Sequence, residues 1–285
     1  MFGFYKKHVD FIAEHAVDPD KRRYSIKGEA PRHYIDIDHY AKEGENPFEL
    51  VPENWFDAKE KYSEDTLLAY GVLPWHLNLM MHQLTEAFKN KDAKKILRLS
   101  TDMGHYLGDA HVPLHTTKNY NGQLTNQVGI HGFWESRIPE LSADNYQYFV
   151  GKAEYIEKVD EFIWQIIQDS HWAVDSVLRF ERELTEAFES DRKYSFENRG
   201  AQVIQVYSED FSLAFEKKLN GMVEKRMLAA VKNLGSLWYT AWVNAGQPPL
   251  NSVSFQSESE EDSKEQEELN QKFSLGKIFG REHGK

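Results

Sequence analysis

With 285 residues, 40% of them hydrophobic, the chain can form one large domain or two small ones with a full core, which excludes disorder throughout. Its formal net charge of −12 argues mildly against binding a phosphate backbone by bulk attraction, although divalent cations at a carboxylate-rich site would reverse the field locally. The absence of cysteine excludes disulfides, thiolate zinc sites and cysteine nucleophiles, and no apolar run reaches the roughly 18 residues that a membrane helix requires.

Helical periodicity dominates the chain. Amphipathic patterns predict helices, in chain order, at residues 2–16, 67–88, 92–110, 131–138, 159–188 and 196–245. Because the residue before a proline disfavours the helical conformation, the first helix should end near Pro19, the second should begin or break near Pro74, and the third should end before Pro113. Residues 116–130 are polar and rich in Gly and Asn, which predicts a loop. Strand-like alternation is scarce, so the predicted fold class is all-α.

One multi-helical domain is expected over residues 1–250. Beyond it the composition changes, since seven acidic residues and one lysine occupy residues 258–268, with nothing to supply a core. Residues 251–285 are therefore interpreted as a flexible acidic tail.

Histidines are concentrated in one part of the chain, where four of the twelve fall within 27 residues. Asp109 follows His105 by four positions, and Glu135 follows His131 by four positions. Residues at this spacing leave the same face of a helix, so each imidazole and its carboxylate can reach one metal ion or two neighbouring ions. His115 lies between the two pairs, just after the expected helix end, where an irregular backbone can turn it toward the same pocket.

A single His/Asp pair at this spacing is usually a surface pair or a capping contact, but two pairs with a further histidine between them favour a metal site. Zinc accepts such nitrogen and oxygen ligands at about 2.0–2.2 Å. His111 is more typical of a supporting or surface position. Asp18 and Asp20 flank Pro19, and His33 follows Asp18 by 15 residues; on spacing alone this indicates an ordinary turn.

Three segments carry a family resemblance: Gly104–Asp109, Val112–His115 and His131–Glu135. They resemble the zinc core of the superfamily that joins bacterial zinc-dependent phospholipases C to fungal and plant single-strand-specific nucleases. The shared pattern is H-x-x-x-D, a histidine six residues after the aspartate, and then H-x-x-x-[DE]. A weaker likeness extends to His33–Asp36 and Leu237–Tyr239, so that the resemblance covers roughly residues 10 to 250.

The resemblance implies a ligand set for two zinc ions. One ion would be held by Asp18, His33, His105 and Asp109, and the other by His115, His131 and Glu135. Asp109 would also be the carboxylate that bridges toward a third ion. Asp18 would be the catalytic residue, since the family offers its counterpart the role of orienting or deprotonating the attacking water.

The chain departs from the family at its start. In the family, the amino group and carbonyl of an N-terminal Trp, with a nearby His, hold the third zinc, whereas here 17 residues precede Asp18 and none is Trp. The chain is therefore expected either to lack its first few tens of residues, signal peptide included, or to be a two-metal variant, with the first favoured. Two zinc ions are expected here and three in a complete member. Members of the family are usually exported, and Met1–His8 does not resemble a signal peptide.

The expected function is zinc-dependent hydrolysis of a phosphodiester, with water made nucleophilic by the metal cluster. The identity of Glu135, the short loop before His131 and the acidic charge lean toward a phospholipase-C-like enzyme, although the His-x-x-Trp-acid form of residues 131–135 leans toward the nucleases. The expected partner is thus a phospholipid or single-stranded nucleic acid, and the sequence does not indicate an oligomeric state.

Two other classes are alternatives. A carboxylate-bridged di-iron bundle requires Glu-x-x-His, which does not occur in this sequence. A non-catalytic helical protein with structural zinc is more plausible, and would hold one closed zinc site. The basic stretch Lys21–Arg23, together with Arg32, could hold a phosphate but is more simply interpreted as a solvated loop.

Overall fold

The computed structural model describes residues 1–200 and 202–250, and also Lys264, Glu268 and Gln271. Over these residues the chain is mostly helical, with one small two-stranded sheet, which confirms the all-α prediction at the level of fold class. The predicted tail at 251–285 lies outside the described residues apart from these three positions.

The α-helices are α1 Phe2–Lys7, α2 Val9–His15, α3 Asp18–Arg22, α4 Pro47–Leu50, α5 Trp55–Tyr62, α6 Glu64–Tyr70, α7 Leu73–Lys89, α8 Ala93–His111, α9 Ile130–Gly132, α10 Ile138–Ser142, α11 Val159–Ala187, α12 Glu209–Leu219 and α13 Met222–Asn244. Short 3₁₀ turns occupy Ala30–His33, Ile37–Tyr40, Pro113–Thr116, Ala143–Asn145 and Ser190–Arg192. A π-helical turn spans Phe133–Arg137, and strands β1 Tyr194–Arg199 and β2 Gln202–Tyr207 pair antiparallel. None of the described helices is both long and apolar enough to cross a membrane.

Helix α8 organises the molecule. Its start is fixed by Asp92, whose side chain accepts a hydrogen bond from the backbone N–H of Lys95. It ends at His111, so that Val112 lies between the helix and Pro113, and the helix ends before Pro113 as predicted. Its apolar face, which includes the fully buried Leu97 and Leu107, packs in the main core formed with α7, α11 and α13. Truncating such a buried leucine to alanine costs about 2–5 kcal/mol. The core therefore holds α8 rigidly, and with it the histidine and carboxylate on its other face.

A second apolar cluster supports the segment that contains His131. Phe133 stacks on Tyr207 at 3.9 Å and on Phe215 at 4.9 Å between ring centroids, so α9 and the π-helical turn rest against β2 and α12. The long helix α11 contributes the buried Val177 to this cluster and also packs on the main core. The two cores thus fix the two histidine-bearing segments relative to each other.

Two helix predictions were wrong in detail. The predicted helix at 2–16 is two helices, because the backbone breaks at His8. The predicted helix at 196–245 is instead a hairpin, β1 and β2, followed by two helices, α12 and α13. The sequence explains the hairpin, since β2 is rich in β-branched and aromatic residues and Gly200 adopts a positive φ of 61° at the turn.

The segment around His33 is held by backbone hydrogen bonds to other parts of the chain. The N–H of Ile35 donates to the carbonyl of His115 at 2.9 Å, and the N–H of Asp36 donates to the carbonyl of Tyr70 at 2.7 Å. Gly71 has a φ of +93°, and a Cβ there would lie 2.1 Å from the carbonyl oxygen of Tyr34. Only glycine therefore allows α6 to approach this segment so closely.

We expect Gly71→Ala to lower the free energy of unfolding by about 2–4 kcal/mol, because the backbone of Tyr34 must move in addition to the strain of a positive φ. Gly28→Ala is the matched control, since Gly28 has the same φ of +93° and a Cβ there would meet nothing within 4 Å. It should cost only about 1–2 kcal/mol. Urea denaturation of both variants checks this, and equal losses would contradict the close-approach explanation.

Candidate metal centre

The structure brings six ligand-type side chains into two adjacent groups. Group one consists of Asp20, His33 and His105, and group two consists of His115, His131 and Glu135. Within each group, one ligand atom per residue lies within 4.8 Å of the others. Five of the six residues were predicted from the sequence, and Asp20 was not.

Group one joins the start of the chain to α8. His105 Nε2 lies 3.2 Å from His33 Nδ1, and Asp20 Oδ1 lies 3.7 Å from the first of these atoms and 3.8 Å from the second. His105 is oriented by its other ring nitrogen, which lies 3.0 Å from the carbonyl oxygen of Ala16. With the proton on Nδ1 donated to that carbonyl, Nε2 presents its lone pair to the group.

Group two lies on the 3₁₀ turn after α8, on α9 and on the π-helical turn that follows α9. His131 Nε2 is 2.7 Å from Glu135 Oε2 and 3.0 Å from His115 Nε2. His115 Nδ1 donates to the carbonyl of His33 at 2.5 Å, which turns its Nε2 toward the group. A π-turn is frequent at functional sites, and here it places Glu135 one turn from His131, as the four-residue spacing predicted.

Asp109 stands between the two groups. Its Oδ2 lies 2.9 Å from His33 Nδ1, and its Oδ1 lies 3.8 Å from His115 Nδ1. Its carboxylate is also 3.5 Å from His105 Nε2, the partner four residues earlier on α8. Asp109 thus lies beside both groups, whereas the resemblance gave it as a ligand of the first ion that bridges toward a third.

Asp18 is placed differently from the expectation. Its carboxylate accepts hydrogen bonds from Lys21 Nζ at 2.9 Å and pairs with His15 Nδ1 at 2.7 Å. Positions two apart on a helix point in directions about 200° apart, so α3 cannot aim Asp18 and Asp20 at one point. In this geometry Asp20 faces His33 and His105 in place of Asp18, which the family resemblance had selected.

Burial sets the protonation of one imidazole in each group. The side chain of His33 is fully buried, and burial, together with the neighbouring His105 and Arg23, lowers its pKa well below the usual value. Burial also lowers the pKa of His115. Both rings are therefore neutral at neutral pH, which is the form that binds a metal ion.

The carboxylates respond to one another as well as to burial. Burial and the charges of Glu135 and Asp20 raise the pKa of Asp109 well above its usual value. Burial acts on Glu135 in the same direction, but His115 and His131 hold its pKa well below the usual range. Crowded carboxylates in a low-dielectric site are costly, and a divalent cation between them would offset that cost.

The donor set fits zinc. It consists of imidazole nitrogens and carboxylate oxygens, and two ligands on a tetrahedral zinc ion with bonds of about 2.0–2.1 Å are about 3.3 Å apart. Group-two separations run from 2.7 to 3.4 Å, and those of group one from 3.2 to 3.8 Å. The exposed fractions of the Asp20 and Glu135 side chains are 44% and 36%, so each group is open on one side. Open zinc sites are typical of catalysis rather than of structural support.

A cavity of about 460 Å³ opens beside these groups. His105, Asp109 and Glu135 form one wall. The remaining lining residues are mostly small or apolar: Ile12, Ala16, Val17, Ser100, Thr101, Gly104, Gly108, Leu234 and Trp238. The hydroxyls of the two polar ones are engaged, Ser100 with Tyr5 and Thr101 with a backbone carbonyl, so the cavity is apolar apart from its metal-facing wall.

Comparisons with known proteins add no family assignment: no protein-family model matches the chain, and no curated protein matches its sequence. The case for a metal centre therefore rests on the residues and their geometry.

We expect the protein to retain two zinc ions per chain after loading and removal of free metal, one for each group. His131→Ala should retain about one, because it removes a ligand of group two alone. Elemental analysis of the purified protein measures this directly. His82→Ala, which removes an exposed histidine of α7, is the control and should keep both ions. Equal zinc loss in the two variants would contradict the assignment.

Proposed function

We propose that the protein is a zinc-dependent phosphoric ester hydrolase of the phospholipase C / single-strand nuclease fold type, closer to the phospholipases C. The observation that carries the proposal is the convergence of two imidazole–carboxylate groups around Asp109, beside an apolar cavity. The likeness of Gly104–Asp109 and His131–Glu135 to the zinc core of that superfamily supports it.

Zinc bound at such a site supplies positive charge for the phosphate oxygens and lowers the pKa of water toward about 7. The side chains contribute the rest. Neutral His33 and His115 are ready to bind metal without losing a proton, and the carboxylate of Asp109 lies beside both of them.

Asp20 is the group-one ligand best placed to handle a proton. Its carboxylate is 44% exposed, whereas His33 beside it is fully buried, so a water molecule can reach Asp20 from solvent. We assign to Asp20 the role of orienting and deprotonating water, which the resemblance had assigned to Asp18. Asp18 instead fixes the turn before α3 through Lys21 and His15.

The cavity favours an ester with an apolar group. Among its described lining residues there is no lysine or arginine to pair with further phosphates. Arg22 of α3 is committed to Asp102 at 2.8 Å and lies 3.6 Å from Glu29. A polynucleotide would bring several phosphates with little to neutralise them, whereas a phospholipid brings one phosphate and apolar chains.

The nuclease and the structural-zinc protein are the competing functions. Trp134 directly precedes Glu135 but is buried, which favours packing over base stacking. A closed structural site would leave little ligand surface exposed, in contrast to Asp20 and Glu135.

We expect the zinc-loaded protein to hydrolyse phosphatidylcholine and para-nitrophenyl phosphorylcholine faster than single-stranded DNA. Asp109→Asn should lower kcat/KM by at least about 100-fold, because it removes the charge between the two groups. Initial-rate assays on the three substrates test this, with His82→Ala as the control. Cleavage of DNA alone would favour the nuclease, and cleavage of none would leave the structural-zinc alternative.

We expect Gly108→Leu to raise KM for a long-chain phosphatidylcholine on the order of tenfold, with a smaller effect on a short-chain one. Gly108 lines the cavity, and a Cβ there meets nothing within 4 Å, so a side chain at this position begins in open space beside the cavity. Gly235→Ala on α13, where a Cβ meets its nearest neighbour at an ordinary 3.8 Å, is the control and should leave KM unchanged. Equal effects on both chain lengths would show that the cavity does not bind the apolar group.

A further inference from the structure

A carboxylate that belongs to neither metal group is completely buried behind His33. Glu29 has an exposed fraction of 0% and directly precedes the 3₁₀ turn Ala30–His33. It accepts a hydrogen bond from the hydroxyl of Tyr106 and another, of 2.7 Å, from Arg32. With Arg22 Nε 3.6 Å away, its charge is balanced by two cations. The basic residues expected in a solvated loop are therefore partly used to pair with this buried carboxylate.

Glu29 and the metal groups lie at opposite nitrogens of the His33 ring. His33 Nδ1 faces Asp109 Oδ2 at 2.9 Å and His105 Nε2 at 3.2 Å, whereas Nε2 lies 3.8 Å from Glu29 Oε1. Glu29 precedes this turn and His33 ends it, four residues later. A shift of the His33 ring by about 1 Å would bring Nε2 and Glu29 Oε1 to hydrogen-bond distance.

Tyr106 completes a cradle around the ring. Its aromatic ring meets that of His33 edge to face, with centroids 5.1 Å apart, and its hydroxyl is bonded to the same Glu29. Tyr106 lies between His105 and Leu107 on α8, so the cradle is anchored to the element that carries Asp109. Carboxylate, tyrosine and imidazole are thereby fixed relative to the metal-facing side chains.

We infer that Glu29 is a positioning residue for the metal centre: it accepts the N–H of His33 Nε2 and so directs the lone pair of Nδ1 toward group one. The inference rests on the proposed zinc function. In His105 and His115, the ring nitrogen that faces away from the metal groups is hydrogen-bonded to a backbone carbonyl, that of Ala16 and that of His33 respectively. In His33, the carboxylate of Glu29 would be the acceptor instead of a backbone carbonyl. A carboxylate acceptor also makes the imidazole a stronger metal ligand.

The test is zinc affinity in Glu29→Gln, measured on the full chain by competition with a chelating dye. The variant preserves size and an acceptor for Tyr106 but removes the charge. Affinity for one of the two ions should fall about 10- to 100-fold, while the other ion binds as in the wild type. Asp102→Asn is the matched control, because Asp102 pairs with Arg22 at the far end of the same buried network. It should leave both affinities within about twofold.

A spectroscopic readout separates positioning from general support. The protein is labelled with ¹⁵N-histidine and loaded with zinc, and the His33 signal is assigned by comparison with a His33 variant. His33 should show a slowly exchanging proton on Nε2, and its signal should be shifted or lost in Glu29→Gln. Tyr106→Phe is a second variant that frees the carboxylate without removing it. It should reduce affinity severalfold and shift the same signal, and it keeps the inference testable should Glu29→Gln fail to fold.

Two outcomes would overturn the inference while leaving the metal centre intact: unchanged affinity and signal in the Glu29 and Tyr106 variants, or equal loss in Asp102→Asn. Wild-type protein that binds no zinc would instead refute the proposed function itself, and the inference with it.

Discussion

The structure depends on the enclosure of several carboxylates and imidazoles within a few ångströms of one another, centred on Asp109. In a low-dielectric interior such a cluster opposes folding unless its charges are compensated. The raised pKa of Asp109 and the lowered pKa of His33 both report this tension. Divalent cations would relieve it, so the metal that we propose for chemistry would also stabilise the fold.

The rest of the molecule serves to hold this cluster in place. The main core fixes α8, which carries His105 and Asp109, and the second core fixes the turn that carries His131. The backbone bonds around Gly71 bring His33 to them from a part of the chain some seventy residues earlier than His105. Glu29 adds a buried charged layer behind His33, balanced by arginines. Rigid elements thus supply the site, and its open side faces an apolar cavity.

The mostly apolar lining of the cavity favours one class of substrate over another. Binding energy at such a site would come from apolar burial next to a small number of metal-held phosphate contacts, rather than from many charge pairs along a polyanion. That balance is consistent with the acidic net charge of the chain, which gives no long-range attraction for nucleic acid. Substrate class is therefore a consequence of what surrounds the ligands, and the ligand motif alone leaves it open.

The sequence by itself determined the features that depend on local spacing. Helical periodicity predicted α8 and α11, and four-residue spacing put His105 with Asp109 and His131 with Glu135. What depended on direction in space was decided by the tertiary structure. Whether Asp18 or Asp20 faces His33 follows from how α3 is rotated against α8, and the hydrogen bond from Tyr106 to Glu29 joins residues 77 positions apart. Such contacts arise from packing between segments, which no local pattern encodes.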